Sequence, residues 1–181
     1  MKQAAHRGVK VYILIDSVGS LQFSDKTADE LLRIGIYFCR FNNVQFKWLG
    51  QWGRRLHHKV LLVDQQRAFI GGINVVSTSY GEKSISHHLD FALYIEGPAT
   101  LGLTRYCQLI FSKASQKKIK FDKDTTIRKS YLNGVSLKIS INDWIYRRWQ
   151  ITKQYSELTQ SAKKSIIIVN SYFFTRRKFM K

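Results

Sequence analysis

Residues 55–74 read Arg-Leu-His-His-Lys-Val-Leu-Leu-Val-Asp-Gln-Gln-Arg-Ala-Phe-Ile-Gly-Gly-Ile-Asn and constrain the fold more tightly than any other stretch of the chain. Two apolar runs, 60–63 and 68–70, flank the polar pair Gln65-Gln66, a pattern that predicts a hairpin of two buried, central strands. With Gln65 and Gln66 as the turn, Val63 pairs with Ala68, Lys59 falls opposite Gly72 and His57 opposite Asn74. Side chains alternate along a strand, so this register puts His57, Lys59, Gly72 and Asn74 on one face and Asp64 on the other.

That face would carry an imidazole, an ammonium and a carboxamide around a glycine pair, leaving room for a bulky anion such as a phosphate. Lys59 and Asn74 can donate to its oxygens, while His57 can attack phosphorus or move a proton. His58 points the other way and lacks a lysine two residues on, which fits a packed or surface histidine. A hairpin whose His57 and Lys59 merely face solvent is the alternative, but it leaves the glycine pair and Asn74 without a role.

His57-x-Lys59, four residues, Asp64, six residues, then Gly71-Gly72-x-Asn74 resembles the HKD signature of the phospholipase D superfamily. The flanks, Arg7-Gly8-Val9-Lys10-Val11, the turn at 16–20, and Asp90 through Ile95-Glu96-Gly97-Pro98, are most similar to its bacterial cardiolipin synthases of the B type. The resemblance implies an α/β fold, a phospholipase D-like mixed sheet flanked by helices. It also implies catalytic roles for His57, Lys59, Asp64, Asn74 and Asp90, with Gly71 and Gly72 at the substrate. By that likeness Asp90 holds the far nitrogen of the His57 imidazole and fixes its tautomer. Asp64, facing away by parity, is expected to brace the hairpin rather than do chemistry.

Thirty Lys and Arg against 12 Asp and Glu give a formal charge of +18, which favours polyanions, either nucleic acid or an anionic membrane surface. Charge alone does not choose between them. A hydrophobic content of 44% excludes a disordered tail. Cys39 and Cys107 stand alone in apolar contexts, as small buried thiols of a reducing compartment do. No Cys-x-x-Cys or His-Glu-x-x-His spacing occurs, so no zinc is expected, and no apolar run is long enough to span a membrane.

From the start, residues 3–7 read as a helix end stopped by Gly8, and 9–15 as a strand leading into Asp16. Ser24 caps a helix to Leu32 and Arg33, closed by Gly35. Strands are expected at 36–41 and 44–48, and a further one at 88–96 beside the hairpin. Trp48 and Trp52, next to Arg54 and Arg55, suit either a bilayer headgroup level or packing under a loop. Pro98 opens a helix over 99–112 with Leu101, Tyr106, Leu109 and Ile110 as its apolar stripe. A first catalytic unit thus covers 1–112 and a basic linker 113–134. Residues 135–181 then hold a strand at 135–141, a long helix capped by Asn142 or Asp143, and an apolar strand at 165–174.

The last strand resembles the opening strand of a second catalytic unit. Two-unit members of the family use one motif from each half, whereas this sequence carries one, so the expectation is a piece incomplete at both ends. The resemblance implies transfer of a phosphatidyl group between two phosphatidylglycerol molecules through a phosphohistidine. No cofactor is needed, and the partners are anionic phospholipid, the cytoplasmic face of a bacterial inner membrane as a peripheral surface, and a second catalytic half in cis or trans. Nucleic acid is the less favoured partner. The rivals are a single-motif phosphodiesterase or nuclease working as a homodimer, and an inactive remnant that binds membranes.

Overall fold

In the computed structural model the described residues are 1–42, 55–72, 74, 90–121, 134–142 and 149–169. The chain divides into two compact units, Met1–Val135 and Ser136–Lys181.

In the first unit, Gly8 at φ 84° ends α1 (Lys2–His6) and releases the chain into β1 (Tyr12–Asp16). Helix α2 (Asp25–Arg33) starts where expected: Ser24 Oγ accepts the Thr27 N–H at 3.1 Å, and Asp25 sits at the positive helix end. Gly35, at φ 82°, closes it and feeds β2 (Tyr37–Phe41). Strands β1 and β2 run parallel, Tyr12 beside Tyr37 and Asp16 beside Phe41, with α2 as the crossover a parallel pair requires. Tyr12 stacks on Tyr37 at 4.6 Å and meets Phe111 edge-on at 5.6 Å.

A second sheet has the order β3 (Val60–Val63), β4 (Arg67–Gly71), β5 (Ala92–Glu96), antiparallel throughout. Helix α3 (Thr100–Ser115) follows and buries Thr100, Leu103, Thr104 and Phe111. Helix α3 packs on β2, and within the second sheet Ala68 and Ile95 are buried.

Here the fold departs from three expectations. Within the described sheet only β4 is central, since β3 pairs on one side alone. The strands are also buried on one face, not two: Leu61, Val63, Phe69 and Tyr94 are exposed while Ala68 and Ile95 are enclosed. The α3 stripe falls on a different face, with Leu101 and Leu109 outward. Two threonines take inward places: Thr100 Oγ1 lies 2.6 Å from Gln65 O and 2.7 Å from Gly97 O, and Thr104 satisfies its hydroxyl within the helix by donating to Thr100 O at 2.9 Å. The helix is longer than expected, running to Ser115.

The second unit holds α4 (Gln150–Ser161). Its N-cap is Trp149, not the expected Asn142 or Asp143, and Asn142 Oδ1 accepts the Ile151 N–H at 2.9 Å from outside the helix. The strand expected at 135–141 does not form. Its polar groups bond to helix side chains instead, Ile141 N–H to Gln150 Oε1 at 3.2 Å and Ser140 Oγ to Gln154 Oε1 at 2.6 Å. Residues 165–169 are likewise not a strand, because an apolar strand needs a covered sheet to join and this unit offers none among the described residues. The strand expected at 44–48, the first residues of the one expected at 88–96, the 170–174 end of the last one, Trp48, Trp52, Asp143 and most of the basic stretch after Phe121 lie outside the described residues.

Candidate active site

The hairpin forms, with a register shifted by one from the expected one. Val63 pairs with Arg67, Leu62 with Ala68 and Val60 with Ile70, and Lys59 O accepts the Gly71 N–H at 3.3 Å. Lys59 is therefore opposite Gly71, not Gly72. The turn begins one residue earlier than predicted, at Asp64 and Gln65, both left-handed at φ 51° and 54°, and Gln66 N–H donates back to Val63 O at 3.1 Å. Asp tolerates that backbone region better than most residues, which is what lets the turn start there. Asp64 Oδ2 also accepts Arg67 Nη2 at 3.0 Å, so at the turn it acts as a hairpin brace.

The glycine pair is required by close approach to β5. A Cβ on Gly71 would strike Phe91 O, and one on Gly72 would fall 2.5 Å from Asp90 Oδ1 and 2.8 Å from Oδ2. Asp90 thus packs against Gly72, and its Oδ1 accepts the Phe91 N–H at 2.7 Å. Asp90 makes no hydrogen bond to His57 among the described residues.

Despite the shifted register, His57, Lys59, Gly71 and Asn74 line one cleft of about 790 Å³. Strand β4 ends at Gly71, so alternation does not govern where Asn74 points. Lys59 Nζ rests 3.1 Å from His57 O. The floor comes from the end of β1 and the turn after it, through Leu14, Ile15, Asp16, Gly19 and Ser20, and the wall from Arg55, Leu56 and His58. Gly72, Asp64 and Asp90 do not line it.

Two lining residues were not foreseen as functional, Asp16 and Arg55. Asp16 Oδ1 accepts the Leu56 N–H at 2.8 Å, while Oδ2 accepts the Gly19 N–H at 2.6 Å and Arg55 Nη2 and Nε at 3.1 and 3.2 Å. Partial burial by itself would raise the Asp16 pKa, but the Leu56 and Gly19 amides and the Arg55 guanidinium outweigh it and hold the carboxyl below its ordinary value. A carboxylate ending a strand just before a Gly-Ser turn was the available signal.

His58 has its ring 5.4 Å from that of Tyr106, edge to face, with Nε2 3.4 Å from the Tyr106 hydroxyl. Desolvation there, and the neighbouring His57 and Lys59, lower its pKa. His58 is nonetheless exposed and lines the same cleft as His57 and Lys59, so parity did not place it on a separate face. Cys39 and Cys107 are free and half-buried, and burial pushes the Cys107 thiol up to about 11. No three of His, Cys, Asp and Glu gather as metal ligands among the described residues, and none of the described helices is long and apolar enough to cross a membrane.

The family model described as cardiolipin synthase, PLD-like domain, matches residues 1–115, which contain the whole cleft. Cardiolipin synthase B of Salmonella typhi is 28% identical over 176 residues, covering 95% of this chain and 42% of the relative. Cardiolipin synthase B of Escherichia coli (strain K12) is 28% identical over 184 residues, 98% of this chain and 44% of that one. A cardiolipin synthase of Clostridium perfringens (strain 13 / Type A) is 28% identical over 190 residues, 96% and 38%. The chain spans about two fifths of the length of these relatives.

Proposed function

Because the chain belongs to the family described as cardiolipin synthase, PLD-like domain, we propose that it supplies one half-site of a phosphatidyltransferase. The substrate of this reading is phosphatidylglycerol, and the products are cardiolipin and glycerol. A ring nitrogen of His57 attacks phosphorus, forming a P–N bond as the P–O bond to glycerol breaks. Lys59 and Asn74 donate to the non-bridging oxygens as charge builds on them. A histidine of a second half-site protonates the departing glycerol oxygen, then takes the proton of the hydroxyl on a second phosphatidylglycerol as that oxygen displaces His57 from phosphorus.

In this reading Asp90 is the residue assigned to orient the His57 ring. Gly71 lines the phosphate's approach, Gly72 leaves room for the Asp90 carboxylate, and Asp64 braces the turn. The lipid is met at an anionic membrane surface by a chain of charge +18.

One observation carries this reading: an imidazole, an ammonium and a carboxamide line a single cationic cleft although their strand pairing differs from the one that first suggested it. The test mixes the purified chain with a separately produced second half bearing its own His-x-Lys motif and follows labelled phosphatidylglycerol by thin-layer chromatography. Cardiolipin should form only with both pieces, and a phosphatidyl group should be trapped on His57. Turnover that survives His57→Gln removes the assignment, while robust His57-dependent turnover by the chain alone removes the half-site part.

A further inference from the structure

The cleft contains a group that electrostatics alone argues against. Asp16 puts a carboxylate among Arg55, His57 and Lys59, in a space that the proposed function reserves for a phosphate, and a negative charge there weakens anion binding. Its bonds suggest what it contributes in return. One carboxylate oxygen holds the backbone N–H of Leu56 at 2.8 Å, and the other holds the side chain of Arg55 at 3.1 and 3.2 Å. Backbone and side chain of a single junction are thereby fixed by one group, immediately before His57.

The anchor is itself rigid. Asp16 is the last residue of β1, paired with Phe41 of β2, and its side chain is only 11% exposed against 56% for Arg55. The Gly19 N–H at 2.6 Å locks its rotamer from the turn that follows. A Cβ on Gly19 would come within 3.0 Å of Arg55 Nη2 and 3.1 Å of Asp16 Oδ2, so glycine leaves room for the pair to close.

We infer that Asp16 is a positioning residue, setting the placement of His57 and Lys59 for a phosphate through its hold on Arg55 and on the Leu56 amide. This rests on the reading of the cleft as a phosphate site. It predicts an effect of the opposite sign to simple charge. Removing a carboxylate from a cationic cleft tightens anion binding by Coulomb attraction, whereas loss of positioning loosens it.

The experiment titrates the full chain with inorganic phosphate at low salt, following the amides of Leu56 and Gly19 and the His57 ring by NMR. In Asp16→Asn, phosphate should bind about fivefold more weakly or worse, with the Leu56 and Gly19 amides shifted before any phosphate is added. Binding that is unchanged or tighter overturns the inference. Gly19→Ala keeps every charge and only crowds the pair, so it carries the same test should Asp16→Asn fail to fold: weaker phosphate binding supports the positioning role, and unchanged binding overturns it.

Lys59→Ala separates this from the underlying reading. If it leaves phosphate binding untouched, or if the unaltered chain shows no saturable binding, the cleft is not the phosphate site, and the role of Asp16 falls with it. If Lys59→Ala weakens binding and Asp16→Asn does not, only the positioning role is lost.

Discussion

Two residues at the cleft couple stability to pH in the same direction. His58 has a folded pKa below the ordinary 6.5, so its neutral form is favoured by folding. Its contribution is fully present above that value and lost as pH falls through it toward the folded pKa. Asp16, held below the ordinary 3.8, contributes above that value and loses its contribution as pH drops further. Denaturant unfolding measured from pH 8 to pH 3 should therefore show stability declining in two steps, and His58→Gln should flatten only the upper one. At Gly72 the added methyl of alanine meets a side-chain carboxylate that can swing, for a cost of about 1 kcal/mol, while at Gly71 it meets backbone and should cost about 3 kcal/mol. Urea midpoints of the two variants give that comparison directly. The types at these positions were legible from the sequence, since a glycine pair beside His-x-Lys signals close approach. Which neighbour each glycine admits was not, because Phe91 and Asp90 arrive from the segment that leads into β5.

At the level of elements, α3 is tied to the β3–β4 hairpin by its first residue. Thr100 is fully enclosed, and its hydroxyl reaches the carbonyls of Gln65 in the turn and Gly97 before the helix. Thr100→Val keeps the shape and removes the hydroxyl's bond across to the hairpin turn, while Gly97 O keeps the Thr100 N–H at 3.1 Å, so it should destabilise the chain by about 1 kcal/mol in urea unfolding. Hydrophobic periodicity could not indicate this helix face. Leu101, Tyr106, Leu109 and Ile110 look like the buried stripe, but Thr100 and Thr104 face inward with their hydroxyls bonded to carbonyls. The hairpin shows the same limit on a smaller scale. Its two strands were plain from apolar runs of the right length, yet the register depended on whether the turn began at Asp64 or Gln65. That choice turns on backbone angles at single residues, and one step reassigns every opposite pair. The strands expected at 135–141 and 165–174 had the composition of strands without a sheet to join among the described residues of their unit.

For the whole molecule, the net charge of +18 sets the expected behaviour at surfaces. Flotation with vesicles containing phosphatidylglycerol should carry the chain upward at low salt and release most of it at about 0.5 M, where screening shortens the reach of each lysine and arginine. His57→Gln should float as the unaltered chain does, which separates surface attraction from chemistry at the cleft. Binding that persists at high salt would point to an apolar contact, and the exposed Leu61 and Phe69, which line the cleft, with Tyr94 beside Phe69, would be the place to look.

What the sequence determined by itself was local: strands from their period, helix starts and stops from Ser24, Gly8 and Gly35, and the His57, Lys59 and Asn74 set from its spacing. What only the tertiary structure decided was the meeting of Asp16 with Arg55 and Leu56, groups 39 and 40 residues apart. Short-range order follows from bond rotation and alternating solvation, which neighbours along the chain already dictate. The Asp16 contact depends on how two separate sheets stack, and no residue's immediate neighbours encode that.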